Sequence, residues 1–209
     1  MNIMPRCLLL CLCVSIELSS GLGAPPRTVG STPPMSSLVR SSDHSDHGGT
    51  IESKYDGFNH EMVVTLKRMR VTCSGGKVFG TTLKDTCISF EVALHCPGAQ
   101  LDYVKYVNLQ VVFDTKDLDQ RHPLDKRDLT VVAGTQALRM GQIALLKQSV
   151  DSDRMADVMR EILETRMSYD TFKRIAMADA VEMKVGDSTF ALRYKNIAAL
   201  RDLNNRIKP

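Results

Sequence analysis

Histidine and aspartate are concentrated in one short stretch, Asp43-His44-Ser45-Asp46-His47, and His60 follows further along the chain. Imidazole and carboxylate groups are ligands for zinc and copper. A dedicated metal site also needs rigid contacts around its ligands. The stretch lies in a segment rich in Ser, Gly and Pro, which does not supply such a scaffold. We therefore predict a solvated linker here and no bound metal or other cofactor.

The cysteines are the second group of residues with potential chemistry. Catalysis by a thiol requires a neighbouring base. His95 precedes Cys96, but adjacent residues of a strand point to opposite faces, so this histidine cannot activate that thiol. Cys96 and Cys73 each share the phase of the apolar residues in their strands. Outside the cytoplasm we predict a structural disulfide between Cys73 and Cys96, or alternatively between Cys73 and Cys87 at the base of a long hairpin.

Carboxylates that could perform acid–base catalysis lie close together in one segment: Asp114, Asp117, Asp119, Asp125 and Asp128. Glycosidases hold such pairs on rigid elements. Here the carboxylates alternate with cations, which is typical of a solvated connection. His60 and His122 are the remaining histidines that could act as a base, but neither lies in a sequence context typical of a catalytic histidine. No serine lies in a nucleophile-elbow motif and no glycine-rich loop could cradle a phosphate. The sequence predicts no catalytic residue.

Charge is nearly balanced over the chain, with 27 Lys and Arg against 24 Asp and Glu. Lys67, Arg68 and Arg70 form a small basic cluster that could touch an acidic surface, but three charges on a strand are typical of an exposed edge or face. Nucleic-acid binding would require a larger basic surface. The chain has no Trp and few other aromatic residues on which bases could stack. We predict no nucleic-acid partner.

The N-terminus predicts export. Arg6 precedes an apolar run, from Cys7 to Ile16, that has the length of a signal-peptide core and is too short to span a bilayer as a helix. Small residues allow cleavage after Gly23 or Gly21, so residues 1–23 are assigned to the signal peptide. Residues 24–50 have the composition of a disordered Pro/Ser/Gly/His linker. A single globular domain, secreted or held in the cell envelope without a transmembrane segment, is predicted over residues 51–209.

Alternation of apolar and polar residues predicts that residues 51–150 form an antiparallel β-sandwich. The clearest strand runs from Cys87 to Cys96, with Ile88, Phe90, Val92, Leu94 and Cys96 on one face. The alternation of another strand, 62–73, slips at Lys67-Arg68, which predicts a β-bulge. Further strands are predicted over residues 103–113, 129–133, 137–140 and 142–147.

The last part of the chain, 151–209, is predicted to mix helices and strands. Residues 151–159 favour a helical turn, and 161–167 fit a helix or a strand. Ser168 is a suitable N-cap for a helix over 169–178. Two strands flank Gly186-Asp187 as a hairpin, and an amphipathic helix follows over 195–207. The predicted fold class is mainly β, or α+β: an antiparallel β-sandwich with a C-terminal helix–β-hairpin–helix unit.

Both ends of the domain resemble a loose group of uncharacterised bacterial exported proteins. The similarity lies in Ser53-Lys54-Tyr55-Asp56-Gly57-Phe58 and in a C-terminal series of four motifs: Ile175 to Ala178, Val181-Glu182-x-Lys184-x-Gly186, Phe190-x-Leu192 and Leu200-Arg201-Asp202-Leu203. The resemblance implies a β-sandwich followed by a helix–hairpin–helix unit, and export. It implies no activity, because the group has none assigned.

These observations favour an exported, non-enzymatic binding module or a cell-envelope-associated module over an enzyme. Its partner, a protein or an envelope component, is not specified by the residues. One alternative is an extracytoplasmic enzyme whose site is built from loops, with a concave pocket of converging titratable groups. The other is a cysteine-dependent redox or metal protein, with an accessible thiol or a bound metal.

Overall fold

The fold consists of two antiparallel sheets, a short two-stranded hairpin and two helices. The computed structural model describes residues 42–44, 46–74, 77–78, 81–82, 86–116, 122, 124–153 and 156–208. Most of these residues lie in strands, so the predicted mainly β, α+β class with a sandwich-like arrangement is confirmed. The predicted signal peptide and most of the predicted linker lie outside the described residues.

The larger sheet has seven strands in the spatial order β1-β2-β3-β6-β7-β11-β10. Every neighbouring pair is antiparallel. Its strands are β1 (Ser42–His44), β2 (Thr50–Asp56), β3 (Glu61–Ser74), β6 (Thr86–Pro97), β7 (Tyr106–Thr115), β10 (Ala144–Asp153) and β11 (Ala156–Met167). The two-stranded hairpin is formed by β4 (Lys77–Val78) and β5 (Thr81–Thr82).

The smaller sheet has four strands in the order β13-β12-β8-β9. They are β8 (Asp128–Ala133), β9 (Gln136–Gln142), β12 (Val181–Val185) and β13 (Ser188–Ala191). A 3-10 turn, Leu124–Lys126, precedes β8. The helices are α1 (Tyr169–Met177) and α2 (Tyr194–Asn205). The predicted C-terminal helix–hairpin–helix unit is therefore present, and its hairpin belongs to the smaller sheet.

One face of the large sheet forms the core together with the small sheet and both helices. Phe90, Val92 and Leu109 of the large sheet line the same small apolar space as Phe172 of α1 and Leu200 of α2. Alternate residues of each strand point the other way, onto a face that we call the outer face, which carries Ser89, Val112, Asp114 and Arg160. Burial of the apolar face explains why the strand alternation is so regular.

Several local predictions are confirmed. The five residues predicted on one face of the Cys87–Cys96 strand are all buried. The register of β3 against β6 shifts between Leu66 and Met69, so the bulge lies at Lys67-Arg68 as the sequence predicts. Ser168 caps α1, because its hydroxyl accepts the backbone N–H of Thr171. Strands β12 and β13 pair across Gly186-Asp187.

The helical turn predicted at residues 151–159 is wrong. This segment contains the end of β10 and the beginning of β11, which pair with each other. Strand β11 also pairs with β7 along Met159–Met167, so pairing on both sides determines its conformation. The alternative of a strand for residues 161–167 is confirmed. Local sequence preference favoured the helix, and contacts distant in sequence overrode it.

The predicted linker ends too late in the chain. Residues Ser42–His44 form β1 and pair with Thr50–Glu52 of β2. The side chain of His47 is buried, with its Nε2 3.1 Å from the Oδ2 of Asp202 in α2. Ordered structure therefore begins before residue 51, because this segment adds backbone pairing and a buried polar contact.

The predicted Cys73–Cys96 disulfide is wrong, and the alternative is present. Cys73 and Cys87 face each other in the β3–β6 register and are joined by a disulfide. Cys96 lies at the other end of β6, opposite Met62, and its thiol is free and buried. The register shift between Arg70 and Thr72 takes Cys73 out of phase with Met69 and Val71 and places it on the outer face. Cys96 stays in the core because the alternation of β6 is uninterrupted. No helix among the described residues has both the length and the apolar character needed to cross a membrane.

Candidate functional site

A concave site of about 340 Å³ lies on the outer face of the large sheet, near the disulfide. We call it the basic cavity. Its walls come from β3, β6, β7 and β11 and from the residue after β7. The lining residues are Arg68, Arg70, Cys87, Ser89, Asp114, Thr115, Lys116, Val158 and Arg160. Among these described residues, four side chains are cationic and one is a carboxylate.

Strand pairing fixes the floor of the basic cavity. In one row across the sheet, Cys73 faces Cys87, Cys87 faces Asp114, and Asp114 faces Arg160. In the next outer-face row, Arg70 faces Ser89. The side chains are consequently held on four paired strands, which position groups more accurately than loops do.

Asp114 is neutralised within the basic cavity. The Nε of Arg160 donates to its Oδ1 at 2.6 Å, and the Nη1 of Arg68 lies 3.7 Å from its Oδ2. The hydrogen bond to Asp114 raises the pKa of the Arg160 guanidinium above its usual value. Arg160 is also 3.4 Å from Asp151. The charges of Asp114 and of its two arginine partners therefore largely neutralise one another.

Arg70 and Lys116 carry positive charge that no described carboxylate balances by an ion pair. Both side chains are exposed and both line the basic cavity. The backbone of Arg70 is held in place because its carbonyl accepts a hydrogen bond from Asn196 Nδ2 at 3.2 Å. Arg68 and Arg70 are two residues apart in β3, so strand alternation places both on the same wall. Arg70 therefore presents its positive charge to the site from a backbone that is held in place, and Lys116 adds a second cation.

This arrangement suits an anion. A guanidinium group offers a planar fork of donors that matches carboxylate and phosphate oxygens. Ser89 contributes a hydroxyl group to the lining. Ser89 is buried, so its hydroxyl lies at the base of the site and not on the rim. The basic cavity is suited to bind a small anion through two cations and a hydroxyl donor.

A second cluster of polar side chains lies on the core side of the same strands. His122 Nδ1 is 2.6 Å from Glu161 Oε2, and His122 Nε2 is 3.2 Å from Ser188 Oγ. Arg127 Nη2 approaches the other oxygen of Glu161 at 3.8 Å. The Glu161 side chain is only 3% exposed. We call these four residues the His122 network. It joins β11 of the large sheet to β13 of the small sheet.

The candidate metal ligands do not form a cluster in the described part of the chain. Both ring nitrogens of His47 have a polar partner: Nδ1 accepts the backbone N–H of Gly49 at 3.0 Å, and Nε2 contacts Asp202. His60 is exposed in the β2–β3 turn, in a left-handed conformation with φ of 52°. Asp43 and His44 contribute backbone pairing to β1. Asp43, His44 and His47 therefore hold the N-terminal segment in place.

His95 and Cys96 lie on opposite faces, as their adjacent positions in β6 predict. His95 Nδ1 is 2.7 Å from Glu61 Oε1, and its ring stacks on Tyr106 at 4.3 Å between centroids. Cys96 is fully buried, and burial raises the pKa of its thiol to about 11. A thiol with so high a pKa is almost entirely protonated near neutral pH and is a poor nucleophile.

Sequence reasoning missed both polar sites. Lys67, Arg68 and Arg70 are exposed, which confirms the predicted exposed face, and the alternative of an edge is wrong because β3 is an inner strand. The sequence does not indicate that the two arginines line a cavity. The sequence predicts Asp114 in a solvated connection, whereas it lies within β7. The alternation of β7 continues through Asp114, and this was the available signal. Nothing local links His122, Glu161 and Ser188, which are far apart in sequence.

Comparison with family models, curated proteins and solved structures finds no match for this chain.

Proposed function

We propose that this protein is an exported binding module that captures a small anionic ligand in the basic cavity. The observation that carries the proposal is a pair of cations, Arg70 and Lys116, that form no ion pair with a carboxylate of the described residues and line a concave site of about 340 Å³. Concave sites with a few fixed polar groups are typical of small-ligand binding. A buried hydroxyl, Ser89, supplies a further donor.

The charge distribution supports an anion and not a cation. Among the described lining residues Asp114 is the one carboxylate, and two arginines already contact it. An incoming anion would meet the surplus positive charge, and partial removal from water would strengthen the attraction. Carboxylate and phosphate groups share this chemistry, because both present several acceptor oxygens to a guanidinium fork.

Titration calorimetry at low ionic strength, with inorganic phosphate and with succinate as probes, tests the proposal. We expect saturable binding of at least one probe. Replacing Arg70 with Gln should weaken binding about 10- to 100-fold, the usual range for loss of a charge-assisted hydrogen bond. The control is Arg139→Gln, which removes the same charge from an exposed residue of β9, on the other sheet. Equal losses in both variants, or no binding of either probe, would reject the proposed site.

Export is part of the same proposal and rests on the N-terminal sequence. The Cys73–Cys87 disulfide is compatible with an oxidising compartment, since such bonds are rare in reducing ones. The intact mass of protein recovered from a secreting host tests it. We expect a chain that begins at Ala24 or Leu22 and contains one disulfide. Retention of residues 1–21, or recovery only from the reducing cytoplasm, would contradict export.

A further inference from the structure

His122 occupies a fixed position at the end of the core, in the connection between β7 and β8. Its ring packs against Phe113, with 4.4 Å between the ring centroids. The Nε of Arg127 donates to the His122 carbonyl oxygen at 2.7 Å. The histidine side chain is 14% exposed. Contacts on the ring and on the backbone thus determine where both imidazole nitrogens point.

The two nitrogens of His122 have different partners. Nδ1 lies 2.6 Å from the carboxylate of Glu161, and Nε2 lies 3.2 Å from the hydroxyl of Ser188. A carboxylate only accepts, so Nδ1 carries the proton in the neutral ring and Nε2 presents its lone pair to the serine. Ser188, His122 and Glu161 are therefore arranged as nucleophile, general base and orienting carboxylate, which is the arrangement that activates a serine hydroxyl.

We propose that Ser188 is an activated nucleophile that cleaves small esters, with His122 as general base and Glu161 as a positioning residue. In the first step a bond forms between Ser188 Oγ and the ester carbonyl carbon, and the hydroxyl proton passes to His122 Nε2. The bond from that carbon to the alcohol oxygen then breaks, and the alcohol leaves with this proton. Water, deprotonated by His122, next attacks the acyl-serine, which releases the carboxylic acid and restores Ser188.

The limited access to Ser188, His122 and Glu161 favours an ester with a small acyl group. Ser188 is half-buried at the start of β13, directly after the Gly186-Asp187 turn, whereas Glu161 is buried. Phe113 and Phe190 close the core side. An ester therefore has to approach Ser188 from the side of the Gly186-Asp187 turn. The adjacent Lys126–Asp187 ion pair, at 2.9 Å, balances its own charge and creates no preference for a charged ester.

The test uses the full processed protein with an alkyl fluorophosphonate and with p-nitrophenyl acetate. The fluorophosphonate should add once, at Ser188, with loss of fluoride and transfer of the serine proton to His122. Ser188→Ala should abolish both this adduct and ester hydrolysis. His122→Gln should reduce the hydrolysis rate about 100-fold or more, as expected for loss of a general base. Glu161→Gln should change the pH profile of hydrolysis as well as lowering its rate.

Thr189→Ala is the matched control, because Thr189 is the exposed neighbour of Ser188 on the opposite side of β13. It should leave labelling and hydrolysis unchanged. Ser188→Cys supplies a second, positive readout, since His122 should accelerate its alkylation relative to Ser149→Cys. Labelling that is absent in the folded protein, or spread over several serines, overturns the proposal. So does equal alkylation of the two cysteine variants. Arg70→Gln should not affect labelling, so this test is independent of anion binding.

Discussion

Arg160 and Glu161 are consecutive residues of β11 whose side chains serve two different polar sites on opposite faces of the large sheet. Arg160 lies on the outer face and donates to Asp114 at 2.6 Å. Glu161 points into the core, where His122 contacts it at 2.6 Å. Their β7 partners, Asp114 and Phe113, are also consecutive. The same pair of strands therefore positions a solvent-accessible cluster of charges and a buried one.

This relationship predicts contrasting effects for two neighbouring substitutions. Glu161→Ala should lower the free energy of unfolding by about 3 kcal/mol, because it leaves His122 and Arg127 without their buried carboxylate. Arg160→Gln should change it by less than about 1 kcal/mol, since its partner Asp114 also contacts Arg68 and the pair is partly hydrated. Urea unfolding followed by circular dichroism measures both values.

Anion binding provides the opposite contrast for the same two variants. Arg160→Gln should weaken binding of phosphate or succinate, while Glu161→Ala should leave it unchanged wherever the protein is folded. A large loss of stability in Arg160→Gln together with a small one in Glu161→Ala would contradict the assignment of faces. Comparable stability losses in both would show that the pair on the outer face contributes as much as the buried one.

The Cys73–Cys87 disulfide should stabilise the fold by restricting the unfolded chain. Its cysteines are 14 residues apart in sequence, and closure of a loop of this size is worth about 3 kcal/mol. We expect the Cys73→Ser/Cys87→Ser double variant and the reduced wild-type protein to lose similar free energies of unfolding. Peptide mapping under non-reducing conditions checks the pairing. Recovery of a Cys73–Cys96 peptide, or no change on reduction, would contradict the structure.

Much of the fold follows from local sequence patterns. Strand β6 is predictable because its five apolar side chains alternate without interruption and are all buried. Ser168 predicts the beginning of α1, because a serine hydroxyl caps the free N–H groups of the first turn. The bulge at Lys67-Arg68 is visible as a slip in the same alternation. In each case one short segment contains the whole signal.

Features that depend on distant pairing were not predictable. Residues 151–159 contain no clear alternation, and their strands form through register with each other and with β7. The choice between the two disulfides depends on bulges that alter phase along β3. The basic cavity needs Arg70, Asp114 and Arg160 on three different strands. Side chains so far apart in sequence meet only once the sheet order is known.

The N-terminal segment should contribute measurably to stability through His47. Its buried imidazole accepts the Gly49 N–H and contacts Asp202, which also lies 3.5 Å from Arg206. His47→Ala should therefore lower the free energy of unfolding by about 2 kcal/mol, through loss of packing and of these hydrogen bonds. The control is His60→Asn, because asparagine tolerates the left-handed conformation of this exposed residue. Equal effects in the two variants would indicate that His47 is not packed on α2.

Cys96 should make the protein less stable as the pH rises above about 9. Its thiol is buried beside the negative charges of Asp102 and Glu61, and burial is the main reason why its pKa rises from 9.0 to about 11. Between these values the unfolded chain releases a proton that the folded protein retains, so unfolding becomes easier as the pH increases. The stabilisation is complete below about pH 9 and is lost by about pH 11, with a size on the order of 2 kcal/mol.

The comparison with Cys96→Ala separates the contribution of this thiol, including its effect on the pKa of Tyr169, from the contributions of the groups common to both proteins. We expect the wild-type protein to lose more free energy of unfolding than the variant between about pH 8 and about pH 10.5. Iodoacetamide should modify Cys96 only after unfolding, since the folded thiol is both inaccessible and protonated. Identical pH dependence in the two proteins, or rapid alkylation of the folded one, would mean that Cys96 is exposed. The cysteine-dependent redox alternative would then regain support, because an accessible thiol is the feature that it requires.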